Sequence, residues 1–167
     1  YSAIFYLKDK YNVVDSGTFW LSETPEEVSF GWDAVCKRVC TWVVLEDKVT
    51  GQKYAHLNSH FDHVGVEARK NSVELIINKA KEFEDIPVVF TADMNVRQDG
   101  ENYNQFVESG VLKDTKFIAP DTMDYCTYHD TRPTQHDGDI IDYVMINDKF
   151  DATVYKVVTE GIDGRYV

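Results

Sequence analysis

Pro87-Val88-Val89-Phe90-Thr91-Ala92-Asp93-Met94-Asn95 decides how the rest of this chain is read. A near-continuous apolar run of strand length is the pattern of a β-strand covered on both faces. It stops abruptly at a carboxylate and a carboxamide two residues apart. In α/β sheets, ligands sit at the carboxyl ends of strands. There Asp93 can orient or deprotonate a water, and Asn95 can donate a hydrogen bond to charge growing on a phosphoryl group. The plainer alternative is that Asp93 caps the next turn.

Working outward, Val73, Ile76, Ile77, Ala80 and Phe83 recur at helical spacing with Lys79, Lys81, Glu82 and Glu84 opposite, which predicts an amphipathic helix starting near Val66. Ahead of it, residues 36–45 and 52–61 are β-branched and aromatic around turn chemistry at 47–51, the pattern of an antiparallel strand pair. Downstream, residues 102–109 form a short helix closed by Gly110. Residues 125–128, 140–146 and 152–158 supply three more strands, and the polar stretch 130–139 is a surface loop. At the start, residues 3–7 and 11–17 read as a hairpin around Lys8-Asp9-Lys10. Residues 18–33 read as an irregular loop anchored by Phe19, Trp20, Phe30 and Trp32, with a possible helix start at Thr24-Pro25-Glu26-Glu27. No repeat or linker interrupts the chain, so residues 1–167 are expected to form a single α/β domain rich in antiparallel pairing.

A chain of 167 residues that is 43% hydrophobic and 13% aromatic is long enough for a real core and unlike a disordered protein. Its apolar runs, such as residues 86–92, fall far short of the roughly 20 residues that span a bilayer. Seventeen basic against 29 acidic residues, a formal charge of −12, work against non-specific binding of long polyanions. A small phosphorylated substrate is easier to accept, although Lys37, Arg38, Arg69 and Lys70 could form a local basic groove. If Cys36 and Cys40 share a strand they lie about 13 Å apart, too far for a disulfide or a shared metal. They and Cys126 read as small buried hydrophobes, which leaves the redox compartment open. The apolar stretch directly after Tyr1 reads as the start of a fragment; the protein is expected to be soluble, and cytoplasmic and secreted locations both stay open.

Two further stretches carry chemistry. In Asn58-Ser59-His60-Phe61-Asp62-His63, strand alternation puts Asn58 and His60 on one face and Leu57, Ser59 and Phe61 on the other. His60 can act as a general acid or contact a phosphate oxygen, or it can simply hydrogen-bond within a loop, and His63 reads as structural. In Ile140-Ile141-Asp142-Tyr143-Val144-Met145-Ile146, Asp142 sits inside a hydrophobic strand, where a carboxylate is costly unless paired. Its partner is either a structural cation such as an Arg or a catalytic His that it orients.

The order Asn58-x-His60-x-Asp62-His63, Asp93-x-Asn95, Ile141-Asp142-Tyr143 resembles the endonuclease/exonuclease/phosphatase superfamily, and the resemblance covers essentially the whole chain. Phe19-Trp20-Leu21-Ser22-Glu23-Thr24-Pro25 and Arg38-x-x-Thr41-Trp42 fit its bacterial members of unassigned substrate. The resemblance implies part of a four-layer α/β/β/α sandwich of the deoxyribonuclease type and divalent-metal-dependent hydrolysis of a phosphoester, with Mg2+, or alternatively Mn2+. The substrate would be a phosphorylated small molecule, a phospholipid headgroup or a nucleic acid. By motif, Asp93 would align the attacking water and contact the metal, and Asn95 would stabilise the transition state. His60 would meet the phosphate or assist the leaving group, Asp142 would orient a second histidine, and Asn58 and Arg38 would bind substrate. The family's metal-binding glutamate and second histidine have no counterpart in this sequence, so the chain is expected to lack both ends of the domain and to hydrolyse poorly alone. A catalytically dead binding module that keeps the fold is the rival reading.

Overall fold

Residues 1–128, 138–162 and 165–166 are described by a computed structural model. Along the chain the elements are β1 (Tyr11–Trp20), β2 (Val39–Asp47), β3 (Lys53–His60), α1 (Val66–Lys81), β4 (Val88–Asp93), α2 (Glu101–Ser109) and β5 (Lys113–Asp114). There follow α3 (Thr115–Ile118), β6 (Asp121–Thr122), β7 (Asp142–Ile146), β8 (Val154–Tyr155), β9 (Gly161–Ile162) and β10 (Arg165–Tyr166). Six strands make one sheet in the order β1-β2-β3-β4-β7-β5. Only the β3–β4 pair within it is parallel, because α1 carries the chain from one to the other. This is the mixed, mostly antiparallel α/β architecture that the motifs imply.

Period-two alternation decides which sheet face is buried. Ala55, Leu57 and Ser59 of β3 and Val88, Phe90 and Ala92 of β4 point to the face covered by α1 and α2. α1 answers with Ala68, Ser72, Val73, Ile76, Ile77 and Ala80, one helical stripe. Phe90 stacks on Phe106 of α2, with ring centroids 5.5 Å apart. α2 ends where Gly110 takes φ 67°, a left-handed cap that only glycine adopts without strain. The opposite sheet face is only half-buried: Val89, Thr91 and Asp93 stand on it, so β4 is fully covered on one side and not on both. A polar row crosses that face, in which His56 Nε2 lies 2.9 Å from Thr91 Oγ1 and Thr91 donates to Asn58 Oδ1.

The structure corrects the expected N-terminal hairpin. β1 is ten residues long and pairs with β2, from Tyr11↔Asp47 to Trp20↔Val39, with a bulge between Val13 and Asp15. Residues 1–7 form no strand. Ile4 and Tyr6 instead line a cleft on the sheet face with Val13, Thr41 and Val43, while Tyr1, Phe5 and Leu7 stay exposed. The possible helix at Thr24 is a turn, closed by Glu27 N–H donating to the Thr24 carbonyl, with Ser22, Thr24 and Ser29 sharing a hydroxyl network. The expected strand at 125–128 reduces to a single bridge, Tyr128↔Asp139, and that at 152–158 to the short β8. Cys36 lies ahead of β2 rather than on it, and is half-buried, while Cys40 and Cys126 are buried as expected. Residues 129–137 of the polar loop lie outside the described residues. No helix among the described residues is long and apolar enough to cross a membrane.

Candidate active site

Strand register assembles the site. β3 and β4 pair in parallel with His60 opposite Asp93, and β4 and β7 pair antiparallel with Asp93 opposite Asp142. Directly paired residues point to the same face, so His60, Asp93 and Asp142 form one row across three strand ends. All three lie at the carboxyl ends of β3 and β4 or at the start of the antiparallel β7, which is the same edge of the sheet. His60 Nε2 is 3.3 Å from Asp93 Oδ2, and both side chains are partly open to solvent.

The chain reverses immediately after Asp93. Asn95 holds φ 49°, one of two non-glycine residues in the left-handed region among those described. Its N–H donates to Asp93 Oδ1 (2.9 Å) and its Nδ2 donates to the Phe61 carbonyl (3.0 Å). Phe61 N–H in turn donates to the Asp93 carbonyl. One Asp93 carboxylate oxygen caps the turn, as the plainer reading expects, and the other faces His60. Asn and Asp tolerate left-handed backbone better than other side chains, which suits a carboxamide at this position. On the buried face behind the row, the Tyr143 hydroxyl meets the carbonyls of Val96 (2.7 Å) and Ile140 (2.9 Å).

Electrostatics separate these groups. Burial lowers the pKa of His60; the Asp93 charge works the other way and the Arg38 guanidinium reinforces the fall, so the imidazole is neutral at neutral pH. Asp142 moves up, chiefly because protein crowds one side of a carboxyl that otherwise meets solvent; the Thr127 hydroxyl opposes the rise and the Asp93 charge adds to it. Thr127 also accepts the N–H groups of Ile141 and Asp142, so it pins the start of β7. No structural arginine pairs with Asp142 among the described ion pairs.

Arg38 and Asn58 stand at different distances from this row. Arg38 Nη2 lies 3.5 Å from His63 Nδ1, its Nε is buried without a hydrogen-bond partner, and it joins no ion pair among the described residues. Asn58 has both ends of its amide engaged, Oδ1 by Thr91 and Nδ2 by the Ala3 carbonyl, which makes it a buttress one pleat behind His60. Lys37 instead covers the Phe30 ring at 5.3 Å. Arg69 donates to the Asp62 carbonyl.

Asp62 is where sequence reasoning saw a motif and missed the physics. Its carboxylate is 2% exposed and accepts four backbone N–H groups, from Val35, Cys36, Val64 and Gly65. Burial works to raise its pKa, but these four donors together outweigh it and hold the carboxyl low. Thr127 was missed as well; no local pattern marks a threonine whose partner is fifteen residues away.

Neither protein-family models nor curated protein sequences give a match. Solved structures do. The mannosyl-6-phosphatase Bt3783 of Bacteroides thetaiotaomicron VPI-5482 superposes with a TM-score of 0.88 at 36% identity, covering 93% of this chain and 60% of that one. An endonuclease/exonuclease/phosphatase from Bacteroides vulgatus gives 0.81 at 43% identity, over 86% of this chain and 57% of its own. The human nocturnin catalytic domain, with bound sulfate, gives 0.63 at 18% identity and shares the fold alone; it is matched over 86% of this chain and 50% of its own. The chain thus spans 57–60% of the two bacterial structures.

Proposed function

We propose, for a chain whose solved neighbours are endonuclease/exonuclease/phosphatase family proteins, that the full-length protein carrying it is a divalent-metal-dependent phosphoester hydrolase. The observation that carries this reading is the row His60, Asp93, Asp142 across three adjacent strand ends, with Asn95 turned back onto it.

The donor set suits a hard cation. Two carboxylates, Asp93 and Asp142, face each other in register, and Asp142 is raised chiefly by burial, with the Asp93 charge adding to it. Such a pair is relieved by Mg2+ or Mn2+, which take oxygen ligands. Asp93 would hold the ion, which, when bound, neutralises phosphoryl charge. The chain's own residues do the rest. Asp93 aligns water for in-line attack opposite the leaving oxygen. Asn95 Nδ2, now on the Phe61 carbonyl, is the donor available to charge developing on the phosphoryl oxygens. The neutral His60 meets the phosphate or leaving group as a hydrogen-bonding partner, and Arg38 supplies the site's free guanidinium.

A phosphomonoester of a small polyol or sugar is the substrate class we favour over nucleic acid. The formal charge of −12 disfavours long polyanions, and the 36% identical Bacteroides protein is named a mannosyl-6-phosphatase. We further propose that residues 1–167 alone hydrolyse weakly or not at all, because two carboxylates make a thin metal site and no Glu of this chain is placed by motif as the principal ligand. Assaying the full-length protein and residues 1–167 with Mg2+ or Mn2+ against sugar phosphates, inositol phosphates, phospholipids and oligonucleotides tests all of this. Monoester turnover by the full-length protein alone is expected; no turnover of any phosphoester by it would overturn the reading and favour a dead binding module.

A further inference from the structure

The loop at residues 31–36 and the junction between β3 and α1 exchange carboxylates. Asp33 of the loop accepts from the N–H groups of Glu67 (3.3 Å) and Ala68 (2.8 Å), the first turn of a helix whose N-cap, Gly65, has no side chain to offer. Asp62 of the junction accepts back from Val35 (3.1 Å) and Cys36 (2.9 Å) of the loop, besides Val64 (2.9 Å) and Gly65 (2.7 Å). The approach is close: a Cβ on Gly65 would stand 2.7 Å from Asp33 Oδ1, and one on Gly31 would stand 2.1 Å from the Leu21 carbonyl oxygen. Arg38 begins two residues beyond Cys36, and His60 precedes Asp62 by two.

A metal site is the obvious alternative, since atoms of Cys36, Asp62 and His63 lie within 4.8 Å of one another. Asp62 cannot serve it. Oδ1 takes Val64 and Gly65 and Oδ2 takes Val35 and Cys36, so both lone pairs of each oxygen are already filled. The Arg38 guanidinium, moreover, lies against His63. The charge of Asp62 is used on backbone, and what that backbone leads to is Arg38.

We infer that Asp62 is a positioning residue: by gripping the backbone at Val35 and Cys36 it holds Arg38 in place, so that the terminal end of its guanidinium is offered to phosphate oxygens. The inference rests on the phosphoester reading of the site. The Arg38 Nε is buried and out of a ligand's reach; the terminal end of the fork, which has no carboxylate partner among the described residues, is what a phosphate oxygen would meet. Among the described residues, Lys79, Arg97, Lys113, Lys116 and Lys156 have carboxylate partners, and Arg38 does not.

Inorganic phosphate titrated calorimetrically into the full-length protein, with EDTA present, tests the inference without relying on turnover. Arg38→Met is expected to weaken binding about tenfold, the worth of one charge-assisted contact. Asp62→Asn turns an NH2 toward two N–H donors, frees the loop and should weaken binding by a similar factor. The double variant should be no weaker than about twofold below the worse single one, because both changes remove the same contact. Wild-type-like binding by folded Asp62→Asn, multiplication of the two effects, or no phosphate binding by the wild type would each overturn the inference. Should Asp62→Asn not fold, Asp33→Asn loosens the same loop from its exposed side and is expected to weaken binding about threefold, a fraction of the full contact; unchanged binding there overturns the idea equally. Phosphate binding without hydrolysis of any ester would sink the hydrolase reading and leave this one standing.

Discussion

Replacing Asp93 by Asn separates catalysis from folding more sharply than any other change at the site. The amide keeps an oxygen for the Asn95 N–H, now 2.9 Å from Asp93 Oδ1, so the turn after β4 survives. It removes a negative charge that stands in register with Asp142. Two unit charges about 6 Å apart repel by about 0.7 kcal/mol in water and by about 1.4 kcal/mol at half that dielectric. Lost against this is the attraction to His60 at 3.3 Å, small because the imidazole is neutral and the pair is partly exposed, about 0.5 kcal/mol. In EDTA the variant of the full-length protein should therefore match the wild type or gain up to about 1 kcal/mol, a rise of at most about 4 °C in Tm. With Mg2+ at a hundred times its Kd the wild type should gain about 2.7 kcal/mol, and the variant little of it. Its kcat/KM should fall by roughly 10²–10⁴. Thermal melts with and without Mg2+ read the first two and a phosphomonoester assay the third. A loss of more than 1 kcal/mol in EDTA, or an unchanged Mg2+ shift, would mean that Asp93 is a structural cap and no more.

Asp62→Ala strands four N–H donors, only one of them fully buried. The carboxylate is covered but shallow, so water reaches some of these groups and the expected loss in urea denaturation is about 3–4 kcal/mol. Because the folded pKa of Asp62 is depressed, its contribution is present above the ordinary carboxylate pKa and disappears as pH falls through the folded value; the wild type should lose stability in acid more steeply than Asp62→Ala, and parallel pH profiles would contradict this. At Asn95, φ 49° makes Asn95→Ala cost about 1 kcal/mol of stability while Asn95→Gly costs little, yet both lose the carboxamide and should lose activity alike. Gly31→Ala forces a Cβ to 2.1 Å from the Leu21 carbonyl oxygen, so thermal melting should show one of the larger losses of any glycine substitution here.

What the sequence disclosed and what it hid divide along the range of the interactions. α1, β3 and β4 were legible because their periodicity is local and long: sixteen residues of helix from Val66, and alternating burial through Leu57, Ser59, Val88 and Phe90. The candidate row was legible from the order of three stretches that resembles the family's, since Asp-x-Asn after a strand is weak alone and an Asp inside a strand says only that something must hold it. The N-terminal hairpin failed for the opposite cause. Residues 3–7 have strand composition, but composition does not say whether an apolar stretch pairs at an edge or lies across a face, and Ile4 and Tyr6 do the latter. Asp33, Asp62 and Thr127 were hidden by distance, since they bind backbone 34, 27 and 15 residues away. This last group shows how the site is divided. The residues that would meet substrate stand on strand ends and announce themselves. Those that place them are carboxylates and hydroxyls bonded to loop backbone, invisible until the loops have closed. Arg38 is the intermediate case: its type and spacing mark it, but the grip of Asp62 on the loop before it, which the sequence does not disclose, is what would hold the guanidinium in place.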